Sequence, residues 1–81
     1  MTKAEIKKCE DLLREGIKNG ESAKKEYEKA EEYLADANKK LEAELEQRKA
    51  DQHLGYAQGI YQALSVIDFE HKDMPKLAEL V

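Results

Sequence analysis

The stretch "GIKNGES", Gly16 to Ser22, decides how this chain folds. Asn19-Gly20 reads as a helix stop, because glycine takes the left-handed conformation past a helix end and Lys18 suits the negative end of the helix dipole. One helix over about residues 3–18 would then turn tightly into a long helix over about 22–68. The alternative is a single helix running straight through. Its support is a seam of apolar and small residues at Ile6, Cys9, Leu13, Gly16, Gly20, Ala23, Tyr27, Ala30, Leu34, Ala37 and Leu41. Their steps alternate three and four without a miss, as the a and d positions of a heptad do. Gly16, Asn19 and Gly20 are three weak helix formers within five positions, and this favours the turn.

Beyond the turn, acid-before-base pairs four residues apart support helix: Glu21 with Lys25, Asp36 with Lys40, Glu44 with Arg48, and Glu10 with Arg14 before it. Each contributes a few tenths of a kcal/mol. A second stripe passes through His53, Tyr56, Ile60, Ala63 and Ile67, with Ala57 and Leu64 widening it. At 100° per residue it is rotated about 120° from the first, so the two halves of the long helix are expected to face different neighbours. "EQRKADQH", Glu46 to His53, contains no breaker and reads as solvated helix. The helix should end near Phe69. Asp73 can N-cap a short helix over about 74–80, with Pro75 in its first turn and Leu77, Leu80 and Val81 as its apolar side.

The fold class expected is all-α: a helical hairpin, antiparallel coiled coil or small bundle in one 81-residue domain. A chain with 40% charged and 6% aromatic residues has little for a thick core. A helix over 22–68 would be about 70 Å long, and a 16-residue partner would cover about 24 Å of it. An oligomer, in the first place a homodimer, is therefore the expectation. A parallel two-stranded coil would set Glu5 against Glu10 and Glu26 against Glu31. Leu12, Ile17, Tyr33 and Leu45 broaden the apolar face, which suits an antiparallel arrangement better.

The net charge of −4 includes no basic stripe to neutralise phosphates, so direct nucleic-acid binding is not expected. No apolar run is long enough to span a bilayer, and no signal peptide is recognised. Cys9 is the only cysteine, which excludes an intramolecular disulfide and fits a reducing compartment. A soluble cytoplasmic protein is the expectation.

The candidate site is a notch in "GYAQGIYQAL", Gly55 to Leu64. Gly55, Gly59 and Ala63 form a row of small residues bordered by Tyr56 and Tyr61, beside Ile60, Leu64 and Ile67. Each helical glycine is unfavourable by roughly 0.5–1 kcal/mol relative to alanine, so close approach of another helix is one explanation. That helix could belong to the protein's own bundle or to a different molecule. Tyrosine suits the second case, having an apolar body and a polar tip.

Catalytic, cofactor and metal sites are not expected. His53 lies beside Lys49 and Gln52, which form no acid–base or ligand set, and it reads as a core-edge residue. His71 sits among Asp68, Glu70 and Asp73, read as a polar turn. Cys9 falls on the seam with no histidine near it and reads as a small buried hydrophobe. No phosphate-binding glycine loop, nucleophile elbow or zinc spacing is present.

The tail "GYAQGIYQALSVIDFEHKDMPKLAEL", residues 55–80, resembles small uncharacterised helical proteins of Gram-positive phages and prophages. The resemblance implies an accessory protein acting on host machinery by binding and occluding it. Inhibitors of host defence, anti-CRISPR proteins among them, are one such group. An oligomeric sponge for a small nucleotide-like ligand and a structural or assembly protein are the other readings.

Overall fold

The computed structural model describes residues 1–81 and is all-helical. Helix α1 spans Lys3–Leu34, α2 spans Lys40–Val66 and α3 spans Met74–Leu80. The first two form an antiparallel hairpin, and α3 packs across both at the end where the termini lie. The molecule is a rod of 54 × 16 × 16 Å.

The reversal is not at Asn19-Gly20. Helix α1 continues through Gly16 and Gly20 to Leu34, so neither a helix over 3–18 nor one over 22–68 forms. The reason is tertiary. Gly16 and Gly20 are both buried, and a Cβ on Gly20 would come within 2.8 Å of the Leu80 Cβ. One on Gly16 would lie 3.0 Å from Ile60 Cγ2 and 3.1 Å from a Leu77 methyl. The glycines are flat ground on which α3 lays its leucines. Burying a leucine is worth about 1.5–3 kcal/mol, which outweighs roughly 1 kcal/mol of lost helix propensity. Asn19 is accommodated too, its side-chain amide donating to the Glu15 carbonyl at 2.7 Å.

The chain reverses instead at "ADANK", Ala35 to Lys39. Asp36 leaves the helix with extended backbone, and its carboxylate accepts from the Asn38 N–H at 2.9 Å. A single 3-10 turn over Ala37–Lys39 then leads into α2. Asp36 and Lys40 thus flank the turn rather than pairing along a helix. At the N-terminus, Thr2 and Glu5 form a reciprocal capping box with both bonds at 3.1 Å.

The stripe expected on α2 is met in part, at Ala57, Ile60 and Leu64. The helix's buried residues are Ala43, Ala50, Ala57, Ile60 and Leu64, whereas Tyr56, Ala63 and Ile67 are exposed. Alanine recurs every seven residues at 43, 50 and 57 and faces Gly16, Ala23 and Ala30, spaced likewise on α1. Small residues on both sides let the helices approach closely, which explains why Ala43, Ala50 and Ala57 have no exposed surface.

Helix α2 ends in a Schellman motif. The Phe69 N–H donates to the Leu64 carbonyl at 3.0 Å and the Asp68 N–H to the Ser65 carbonyl at 3.1 Å. Asp68 takes the left-handed position with φ 54°. Phe69 is thereby turned into the core with Cys9, Leu13, Ala57, Ile60, Leu64 and Leu77. Helix α3 covers 74–80 as expected, with Asp73 at its N-cap position. No side-chain cap bond forms there; the Asp73 N–H instead donates to His71 Nδ1 at 3.1 Å.

Candidate functional site

The eight residues proposed for the notch divide between the buried and the exposed surface of α2 and its C-cap. Ile60 and Leu64 are buried against α1 and α3, and Tyr61 packs on the edge of the same core. Gly55, Tyr56, Gly59, Ala63 and Ile67 are exposed. A Cβ on either Gly55 or Gly59 would meet nothing within 4 Å. These two glycines therefore play no part in packing within the chain, unlike Gly16 and Gly20.

The exposed face is longer than the notch. Leu41, Leu45, Arg48, Gln52, Gly55, Gly59, Gln62 and Val66 are all exposed, and their steps alternate four and three without a break. This is a second heptad seam, directed away from the buried alanines: Gly59 and Ala57 are about 160° apart on the helix. Val66 is 82% exposed, Leu41 66% and Tyr56 56%. Leu41, Leu45 and Val66 were missing from the notch as read from sequence. A signal for Val66 was available: residues 52–67 carry no formal charge in a chain that is 40% charged, although ten of them are exposed.

Polar contacts flank the buried alanines on the hairpin. His53 Nδ1 lies 2.5 Å from Glu26 Oε1. The Tyr27 hydroxyl donates to the Asp51 carboxylate. That hydrogen bond is the main reason the Tyr27 phenol is held above its ordinary pKa, with slight desolvation and the Asp51 charge adding to it. Lys29 and Lys49 approach Glu46 at 4.0 and 3.5 Å. Near the termini, His71 stacks on Phe69 with ring centroids 5.9 Å apart. Because its Nδ1 accepts from Asp73, the ring proton sits on Nε2, 3.6 Å from Glu10. Glu5 is held below the ordinary carboxylate range, first by the hydrogen bond from the Thr2 N–H and then by the Thr2 hydroxyl.

No group of three or more His, Cys, Asp and Glu residues is arranged to hold a metal ion. No helix is long and apolar enough to cross a membrane. A hollow of about 830 Å³ is an open groove that continues past the end of α3 between α1 and Leu54. It carries Lys24, Lys25 and Lys76 but four glutamates, a poor balance for an anionic ligand.

Comparison with protein-family models, with curated protein sequences and with solved structures finds no match to this chain.

Proposed function

We propose that this is a non-catalytic interaction protein whose working surface is the outer face of α2. One observation carries the reading: the apolar and small residues of α2 lie on two opposite faces, and only one of these is covered by the chain itself. Tyr56, Val66 and Ile67 beside two open glycines offer a flat, uncharged strip. A helix can approach closely there, and large side chains are available to bury. The mode of action is occlusion: a slender rod laid against another protein masks part of its surface. Phage-encoded inhibitors of host defence, to which the tail's resemblance pointed, are the class this mode fits, and they would act in the host cytoplasm. The nucleotide-sponge reading is disfavoured by the four glutamates in the 830 Å³ groove.

The test is retention of a protein from an extract of the cells in which this chain acts. Wild-type protein on a column should hold a partner, while Gly59→Leu and Tyr56→Ala should lose it. Neither variant should melt lower, because Gly59 meets nothing and Tyr56 is mostly exposed. Retention unaffected by both substitutions would remove the outer face from the function.

A further inference from the structure

The outer seam of α2 has a pattern of charge and size along its length that favours one occupant. Every formal charge on α2 lies between Lys40 and Asp51, and none lies between residues 52 and 66. The larger side chains of the seam, Leu41, Leu45 and Arg48, occupy the charged half. Gly55 and Gly59 lie in the uncharged half, together with Gln52, Gln62 and Val66. We propose that this face pairs with the same face of a second copy of the chain, antiparallel, about a two-fold axis near residues 53 and 54. The proposal rests on the reading of the outer face as a docking surface and adds a second occupant, another copy of the chain, which would have to dissociate before the face could mask a different protein.

In that register Leu41 of one copy faces Val66 of the other, Leu45 faces Gln62 and Ala63, and the Arg48 stem crosses the other copy's Gly59. Arg48 and Gln52 thus meet the other copy's Gly59 and Gly55, which serve as hollows for them, while Leu41 meets Val66 as apolar against apolar. The charges of each copy's Lys40–Asp51 segment lie against the neutral half of its neighbour, so no like charges oppose one another. A parallel pairing would stack Arg48 on Arg48 within the seam, which is repulsive. The seam from Leu41 to Val66 is about 38 Å long and about 10 Å wide, on the order of 800 Å² of contact summed over both copies. Stable complexes bury about 1,200–2,000 Å², so the pair should be a dissociating one, half-formed between about 10 μM and 1 mM.

Sedimentation equilibrium of the purified protein across that concentration range tests the inference, with 9.3 kDa as the monomer mass. Wild type should move towards twice that mass. Leu41→Lys and Val66→Glu should each weaken association by roughly tenfold or more, since each sets a charge against an apolar side chain. The double variant should recover most of the lost affinity, because the introduced ammonium and carboxylate face each other twice across the axis. Both positions are largely exposed in the single chain, so the melting temperature at low concentration should stay unchanged and serve as the folding control. A wild type monomeric at 1 mM, single variants that associate as well as wild type, or a double variant no tighter than the singles would each overturn the pairing. If self-association is absent while Gly59→Leu still abolishes retention of a cellular partner, the docking reading survives without the second copy. If Gly59→Leu changes neither measurement, both fall.

Discussion

The two ends of the hairpin are held together by different means. At the end bearing the termini, three helices enclose Leu13, Ile60, Leu64, Phe69 and Leu77, with Ile17, Tyr61, Met74 and Val81 packed around them. At the end bearing the turn, only two helices meet, and the residues between them are Ala23, Ala30, Ala43 and Ala50. These alanines are as fully covered as the leucines, yet each removes far less apolar surface from water. What they provide is close approach and a fixed register, with Tyr27–Asp51 and Glu26–His53 along the flanks. Complete burial therefore does not mean equal stabilisation. The three-helix end should dominate the stability of the chain, and the two-helix end should open first.

The largest expected effect follows at the three-helix end. Leu77 is fully buried, and Leu77→Ala should cost about 2–5 kcal/mol and release α3. Thermal melting followed by circular dichroism would show it; a loss below about 1 kcal/mol would mean that α3 is not what seals this end. Next is Ala50→Leu, which forces bulk between two helices in close contact and should cost about 1–3 kcal/mol. Hydrogen exchange should then rise around Ala23 to Lys49 while amides near Leu13 and Leu64 stay protected. Uniform loss of protection would show that the two ends unfold as one unit.

The glycines sharpen the same contrast at smaller magnitude. Gly20→Ala pushes a methyl against the Leu80 Cβ, so α3 must shift and the melting temperature should fall. Gly59→Ala meets nothing and should raise it, by up to about 1 kcal/mol of helix propensity. The same sign for both would contradict the packing described for Gly20 or the openness described for Gly59.

The smallest effect concerns the hydrogen bond from Tyr27 to Asp51. The phenol's folded pKa is raised, so its contribution is fully present below the ordinary tyrosine value near 10 and is lost as pH rises through the folded value. Tyr27→Phe should melt slightly lower at pH 7, and the gap from wild type should close at strongly alkaline pH. A gap that persists unchanged through that range would mean the hydrogen bond contributes nothing to stability.

How much of this was legible in the sequence differs from element to element. The heptad steps through Cys9, Leu13, Ala23 and Ala30 identified the buried face of α1, because a 3.6-residue period leaves little freedom over which side chains share a side. The short helix over 74–80 was equally plain from Asp73 and Pro75. The turn was misplaced because local propensity ranked Gly16, Asn19 and Gly20 as the weakest point. Their flatness turned out to be what Leu77 and Leu80 require, from some sixty residues along the chain. On α2, a window containing small and apolar residues on both sides had no single period to follow. Of the stripe read there, Ala57, Ile60 and Leu64 are buried as expected, whereas Tyr56, Ala63 and Ile67 fell on exposed positions beside them.

By itself the sequence determined that this chain is helical, that its α1 face repeats every heptad, and that residues 52–67 stand apart as uncharged. These are properties of neighbours along one helix, where spacing sets geometry directly. Only the tertiary structure decided where the chain reverses and which glycines are packed. All four glycines carry the same intrinsic penalty. Gly16 and Gly20 lie beneath α3 and Gly55 and Gly59 face outward, a distinction made by contacts between residues far apart in the chain.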